Sequence, residues 1–307
     1  MADIYELLRG TKDSGGNYQK VPVIVQGITG TFGSLHAKQM LDYGTNIAAG
    51  VTPGKGGQTF EGKVPIYNTV KDAVDATKSK VSIVFVPAKF FLGAATEALE
   101  AGIKMLVAIP EHVPIRDTMQ VIELAKKKDA IIIGPNTPGV MIPGLVKIGI
   151  MPASPFKPGN IVVLSKSGTL LYEISNTLTK AGFGQSITIG IGGDPVNGTR
   201  LIDAFDMVKD DPTIEGMVIV GEIGGDAEEI VAQHIMDIGF KKPIVAYIAG
   251  RRAPKEKRMG HAGAIVMGNY GSAESKISMF NMANIPVAKR PNEVAILLAG
   301  KLEKTKD

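Results

Sequence analysis

VPVIVQGITGTFGSLHAKQMLDYG, running from Val21 to Gly44, decides the fold. Its first seven residues are mostly apolar and β-branched and end on Gly27, the composition of a strand buried on both faces. Gly27, Gly30 and Gly33 form a glycine-spaced turn. From about Ser34 to Tyr43 the pattern is helical, and Gly44 stops it. Strand, glycine turn and helix in direct succession open a βαβ unit.

The same alternation continues outward. NIAAGV and VPIYN read as strands, TVKDAVDATK as a helix, VSIVFVP as a strand and AATEALEAG as a helix. KMLVAIP, RDTMQVIELAKKK and AIIIG follow as strand, helix and strand. Prolines and glycines then punctuate GPNTPGVMIPG, and the stretch to PFKPG reads as a crossover between domains. A second alternation begins at NIVVLSKSG and runs through QSITIGIGG, EGMVIVGEIGG and KPIVAYIAG, each strand trailed by a helical pattern. The expectation is an α/β protein with two doubly wound parallel sheets, divided into residues 1–145 and 146–307. Residues 1–20 are expected to be a mobile segment.

Composition narrows the chemistry. The chain has 307 residues, 44% of them hydrophobic and 21% charged, enough for two domains with buried cores. It has no cysteine, which excludes disulfides, thiolate catalysis and cysteine-held metals. Its four histidines, His36, His112, His234 and His261, include no i, i+4 pair, so no metal site is expected. The net charge of +4 suits anionic ligands. Basic residues are dispersed apart from Lys126–Lys128 and the cluster from Arg251 to Arg258, and aromatics are only 6%, so nucleic acid is not an expected partner. The N-terminus lacks the apolar core of a signal peptide, and no apolar run approaches the roughly 18 residues of a membrane span. A cytoplasmic protein is expected.

The first glycine turn suits a phosphate, because its backbone N–H groups gather at a helix N-terminus. Its spacing is GxxGxxG, whereas dinucleotide enzymes use GxGxxG. An NAD site also expects an acid at the end of the second strand. Here NIAAGV runs into TPGKGGQ, and Lys55 stands in that loop. A cation there fits a phosphorylated nucleotide, either NADP or coenzyme A with its 3′-phosphate. As a lone residue Lys55 reads equally as a solvated loop lysine.

In the second half, SKSGTLLYE places Ser165, Ser167 and Gly168 between a strand and a helix. That is an anion cradle, or simply a serine N-cap. GIGGDPVNGT and GEIGGDAEE repeat the design, and the three loops should meet at the C-terminal edge of one parallel sheet. Glu222 ends a strand there, where an acid could face solvent, cap a helix or hold an imidazole. RMGHAGAIV, Arg258 to Val266, sets His261 among glycines and alanines. A carboxylate on its Nδ1–H would free Nε2 to attack a phosphoryl group, and the small neighbours leave room for one.

Together these motifs resemble the α subunits of succinate–CoA ligase. QGITG, YGT…GVTPGKGGQ, IIGPNTPGV, KIGIMP, SKSGTLLYE, GIGGDP, GEIGG and KRMGHAGAIV carry the likeness, which covers the chain from about Val21 onward. The resemblance implies an N-terminal Rossmann-like CoA-binding domain and a flavodoxin-like ligase domain with a phosphohistidine. It places coenzyme A on Thr29, Gly30, Thr31, Phe32, Lys55, Ile109, Pro110 and Glu111. It assigns His261 and Glu222 to catalysis, Tyr172 to the carboxylate, and Ser165, Ser167 and Gly168 to phosphate.

It also implies a partner: a β subunit with an ATP-grasp site for ATP or GTP and Mg2+, assembled as αβ or α2β2. The acid implied is succinate, with citrate and malate as alternatives on the same scaffold. Departures from the family pattern are Phe32 for glutamine, Pro110 for threonine, Lys166 for arginine, and GNYGSAESK after the histidine loop. From other classes, an NADP-dependent dehydrogenase lacks the GxGxxG turn. A CoA-binding regulatory protein would not need Glu222 and His261.

Overall fold

A computed structural model describes residues 3–11, 15–16, 18–254, 257–267 and 271–303. Residues 255–256 of the basic cluster and 268–270 of the GNYGSAESK stretch therefore lie outside the described residues. The chain divides into two compact units, one of Met1–Met151 with Val196–Thr199, the other of Pro152–Pro195 with Arg200–Asp307.

The first unit begins with α1 (Ile4–Arg9), where a mobile segment was expected. The helix is short but anchored. Asp3 accepts a hydrogen bond from the Tyr5 N–H at its start, and Ile4, Leu7 and Leu8, spaced i, i+3, i+4, are buried. Then come β1 (Val23–Gln26), α2 (Thr31–Tyr43), β2 (Ile47–Val51), β3 (Thr59–Phe60), β4 (Val64–Tyr67) and α3 (Val70–Thr77). They are followed by β5 (Val81–Val84), α4 (Phe91–Glu100), β6 (Met105–Ala108), α5 (Ile115–Lys127) and β7 (Ile131–Ile133).

The sheet runs β3-β4-β2-β1-β5-β6-β7, parallel except for β3. From β4 onward this is the Rossmann order, with its switch point between β1 and β5. Ile24, Val84, Leu106 and Ile132 from the strands pack with Phe91, Leu99 and Val121 from the helices in one core. The stretch read as a crossover holds an antiparallel hairpin, β8 (Gly139–Ile142) and β9 (Val146–Gly149). The Thr45 hydroxyl donates to the Lys147 carbonyl (2.8 Å) and accepts from its N–H (3.2 Å), fastening β9 within this unit.

The second unit contains β10 (Pro158–Ser165), α6 (Gly168–Lys180), β11 (Gln185–Gly190), α7 (Leu201–Val208), β12 (Gly216–Glu222) and α8 (Ala227–Asp237). It ends with β13 (Ile244–Ala249), α9 (Ala273–Met282), β14 (Val287–Ala288) and α10 (Glu293–Glu303). Its strands pair in parallel in the order β14-β13-β12-β10-β11. This is the flavodoxin order, and its switch point falls between β10 and β12. Strand residues such as Val162, Val163, Val218 and Ile219 have no exposed surface, because helices cover both faces of such a sheet. Two loops therefore open side by side at the carboxyl ends of the central strands: the serine loop after β10, and the end of β12 that carries Glu222.

Candidate active site of the second unit

Glu222 is the last residue of β12 and is almost wholly buried. Its Oε2 lies 2.7 Å from Nδ1 of His261, which arrives on the loop after β13. That hydrogen bond, opposed by partial burial and reinforced by the charge of Glu222, raises the imidazole above its ordinary proton affinity. Lys166 works against the shift and Asp194 assists it. A carboxylate on Nδ1 fixes the neutral ring with its proton at Nδ1, leaving the Nε2 lone pair as the nucleophile.

The histidine loop is tight. His261 N–H donates to Met259 O (3.0 Å), Ala264 N–H to His261 O (3.1 Å), and Met259 N–H to Ala264 O (2.9 Å). Gly193, from the GIGGD loop after β11, lies against the ring: a Cβ there would sit 2.3 Å from Cγ and 2.4 Å from Cδ2 of His261. Gly224 is as close to the loop from the other direction, since its Cβ would meet the Gly263 carbonyl at 2.0 Å. Its φ of +93° independently favours glycine. The GIGGD and GEIGG loops thus meet the histidine loop, and Lys166 of the serine loop lies 3.8 Å from Glu222.

In the serine loop, Ser165 Oγ donates to Ser167 O (2.7 Å) and accepts from Ser167 N–H (3.2 Å), while Ser167 Oγ caps α6 at Leu170 N–H (3.4 Å). The plain N-cap role of Ser167 is therefore met, and Gly168 stands at the positive end of a 13-residue helix. Tyr172, one turn along α6, packs edge-on against Phe156 with ring centres 6.3 Å apart, and burial pushes its phenol up to about 12. Among the described residues it takes no part in the hydrogen bonds that join Glu222 and His261.

Behind Glu222 stands a charge cluster that sequence reasoning missed. Glu228 accepts from the Glu222 main-chain N–H (3.0 Å). Lys276 on α9 donates to Glu228 (2.5 Å), Glu229 (2.9 Å) and the Gly225 carbonyl (2.9 Å), and neither Lys276 nor Glu228 is exposed at all. Burial opposes the charge of Lys276, but Glu228 and Glu229 outweigh it and hold the ammonium above its usual range. Removing one partner of a buried pair costs about 3–5 kcal/mol, so these residues are mutually dependent. Glu228 and Glu229 lie in the first turn of α8, where acids suit the positive helix end, and Glu228 is also wholly buried.

The other predicted residues lie in the first unit. Gly27 turns with φ +77°, and Gly30 enters α2 with no side-chain cap, leaving the first-turn N–H groups open to a ligand. The helix begins at Thr31, ahead of the expected Ser34, so Thr31, Phe32 and Gly33 belong to its first turn. Thr29 Oγ1 bonds Thr52 Oγ1 (3.1 Å), tying the glycine turn to the loop after β2. Phe32 is 49% exposed and stands edge-on to His36 and Phe85, so it presents an apolar face at the start of α2.

Lys55 sits in an exposed loop pinned by Asn68, whose Oδ1 accepts from Gly54 and Gly56 N–H (both 2.9 Å). Ile109 is buried at the end of β6, Pro110 O accepts from Asn136 N–H (2.9 Å), and Glu111 is exposed. All three loops follow parallel strands of one sheet and so open at the same edge. Of the remaining histidines, His36 stacks on Phe85, His234 bonds Asp206 (2.8 Å), and His112 is exposed.

A Rossmann-ordered unit is followed by a flavodoxin-ordered unit with a carboxylate-held histidine, and two family models place such a chain in the class of CoA ligases. Residues 18–112 match the model of the CoA binding domain, and residues 164–285 match that of CoA-ligase. The chain belongs to the alpha-subunit family of ADP-forming succinate–CoA ligases. It is 48% identical to subunit alpha 2 of that ligase from Archaeoglobus fulgidus over 92% of this chain and 97% of the relative. It is 49% identical to the alpha subunit from Methanothermobacter thermautotrophicus over 88% and 91%.

Among solved structures, ATP citrate lyase from Methanothrix soehngenii, in complex with citrate and coenzyme A, superposes with a TM-score of 0.85 at 26% identity. The match covers 94% of this chain and spans half the length of the lyase chain. Among the described residues, no helix is long and apolar enough to cross a membrane.

Proposed function

We propose that this chain is the phosphohistidine-bearing subunit of a ligase that joins succinate to coenzyme A and forms ADP. The observation that carries the reading is the 2.7 Å contact between His261 Nδ1 and Glu222 Oε2. Nε2 of His261 attacks the γ-phosphorus of the nucleotide, and ADP leaves. The carboxylate of succinate then takes the phosphoryl group from Nε2 and becomes an acyl phosphate. The CoA sulfur attacks the acyl carbon, inorganic phosphate leaves, and the thiol proton is lost. Covalent storage on the ring divides one hard transfer into easier ones.

Glu222 holds the Nδ1 proton throughout and balances the positive charge that develops on the ring as Nε2 attacks. Gly168, with the loop of Ser165 and Ser167, offers the positive end of α6 to the phosphoryl oxygens. Tyr172 borders the acid. Thr29 to Phe32 bind the pyrophosphate of CoA at the start of α2, Lys55 its 3′-phosphate, and Ile109, Pro110 and Glu111 border the same ligand. The nucleotide and Mg2+ belong to a β subunit with an ATP-grasp site, giving αβ or α2β2.

The test is incubation of the reconstituted pair with γ-labelled ATP. The reading expects phosphate on this chain that is labile in acid, stable in base, discharged by succinate with CoA, and missing in His261→Ala. Label that persists in His261→Ala overturns it. A parallel panel of succinate, malate and citrate identifies the acid.

A further inference from the structure

Lys276 and Glu228 have no place in the reaction just described, yet they are among the most deeply buried charges of the second unit. Burying an ammonium and a carboxylate is costly, and such pairs are weak sources of stability. Their connections point elsewhere. Glu228 divides its two oxygens: Oε1 accepts the Glu222 N–H at 3.0 Å, and Oε2 accepts Lys276 Nζ at 2.5 Å. Gly221 makes this possible, since a Cβ at that position would lie 2.5 Å from Glu228 Cγ and 2.6 Å from Oε1. Lys166 Nζ stands between the two carboxylates, 3.8 Å from Glu222 Oε1 and 3.9 Å from Glu228 Oε1. Glu222 Oε1 is buried and makes no hydrogen bond among the described residues, where Glu222 is held by its main chain and by charge rather than by a second donor.

We infer that Glu228 and Lys276 are positioning residues for the Glu222–His261 pair, with the buried ion pair of α8 and α9 fixing the end of β12 that aims Glu222 at the ring. The inference rests on the reading of His261 as the phosphoryl carrier. Among the described residues, the charged groups facing His261 are Glu222 from β12, Lys166 from the serine loop and Asp194 from the loop after β11; behind them stand Glu228 and Glu229 from α8 and Lys276 from α9. The hydrogen bond to Glu222 is the chief reason the proton affinity of His261 is raised, so losing either member of the buried pair lets Glu222 drift and lowers it.

The test uses the full chain labelled with 15N-histidine, titrated by NMR, and then the same chain with its β subunit in phosphorylation assays. Glu228→Gln and Lys276→Met are each expected to lower the His261 midpoint, because either loss loosens the end of β12 that carries Glu222. In the double variant the midpoint stays lowered, since the anchor is gone whether or not the charges cancel. Phosphorylation of His261 slows by about tenfold to a hundredfold in Glu228→Gln, with KM for succinate and CoA retained, because the loss is of alignment at the ring.

A merely structural pair would lower thermal stability and leave every midpoint where it was; that result, or a midpoint raised in Lys276→Met and restored in the double variant, overturns the inference. If Lys276→Met does not fold, Glu228→Gln alone carries the test, and an unmoved midpoint there overturns the inference. The titration needs no nucleotide. Shifted midpoints in a chain that is never phosphorylated would therefore sink the proposed function and leave the positioning role standing.

Discussion

Gly193 and His261 are in face contact: the position a Cβ would take on Gly193 is 2.3 Å from Cγ of the imidazole. The contact explains why glycine stands there, because no larger residue fits while the ring stays on Glu222. Gly193 does not have a positive φ, so alanine is tolerated by the backbone and collides only with the ring. Gly193→Ala is expected to keep the fold and slow phosphorylation of His261 by about a hundredfold, the usual effect of misplacing a reacting group by an ångström. Single-turnover labelling beside a thermal melt measures both.

Glu222→Gln replaces the carboxylate with a group of the same shape and no charge. The amide can still occupy the site, but it no longer balances the cation or enforces the tautomer. Phosphorylation is expected to fall by about 10²–10⁴, the range for a lost acid–base partner, with CoA affinity unchanged. Calorimetry on CoA and labelling with ATP separate the two effects.

The raised proton affinity of His261 makes stability depend on pH in a defined direction. A histidine whose folded-state value lies above its unfolded value of 6.5 contributes fully below that value and loses the contribution as pH rises through the folded-state value. The melting-temperature gap between wild type and His261→Gln is therefore expected to be larger just below the ordinary histidine range than well above it. Melts of both proteins across that window check the sign. A gap that widens with pH contradicts the assignment.

Gly33 in the first turn of α2 faces Gly27, with its Cβ position 2.2 Å from the Gly27 carbonyl oxygen. Alanine there forces main chain against main chain. Gly33→Ala is expected to destabilise the first unit by about 1–3 kcal/mol and to weaken CoA binding, while His261 keeps its titration. Denaturation with calorimetry on CoA tests this.

Lys55→Ala is expected to weaken CoA binding by about tenfold and to leave 3′-dephospho-CoA binding unchanged, the pattern of a lost charge-assisted contact to one phosphate. Equal losses for both ligands would place Lys55 elsewhere on the molecule.

Both sheets were legible because their central strands are short β-branched runs ending in glycine, and Val21 to Gly44 sets the pattern the rest repeats. The link of Glu222 to His261 was legible only through the family resemblance, since an acid ending a strand could as well face solvent or cap a helix. The hairpin of β8 and β9 was hidden by Pro138, Pro143 and Gly144, which read as breaks and are turns between short strands. The helix α1 announced itself through Asp3 and the spacing of Ile4, Leu7 and Leu8, but six residues are too few for periodicity to stand out.

Lys276 was illegible. Between Ser275, Ile277 and Ser278 it reads as a surface lysine, and only the meeting of α8 with α9 shows it buried on Glu228. Gly193 was illegible for the same reason, because a glycine pair in sequence shows a turn and never what presses against it.

The most direct measurement is the position of the phosphate on the ring. Glu222 occupies Nδ1, so the phosphoryl group must be on Nε2. Correlated 31P–15N NMR of the phosphorylated chain, labelled with 15N-histidine, reads the bonded nitrogen. The expected result is one phosphorus coupled to Nε2 of His261 with Nδ1 still protonated; phosphate on Nδ1, or on any other residue while His261→Ala forms thioester at the wild-type rate, contradicts the account.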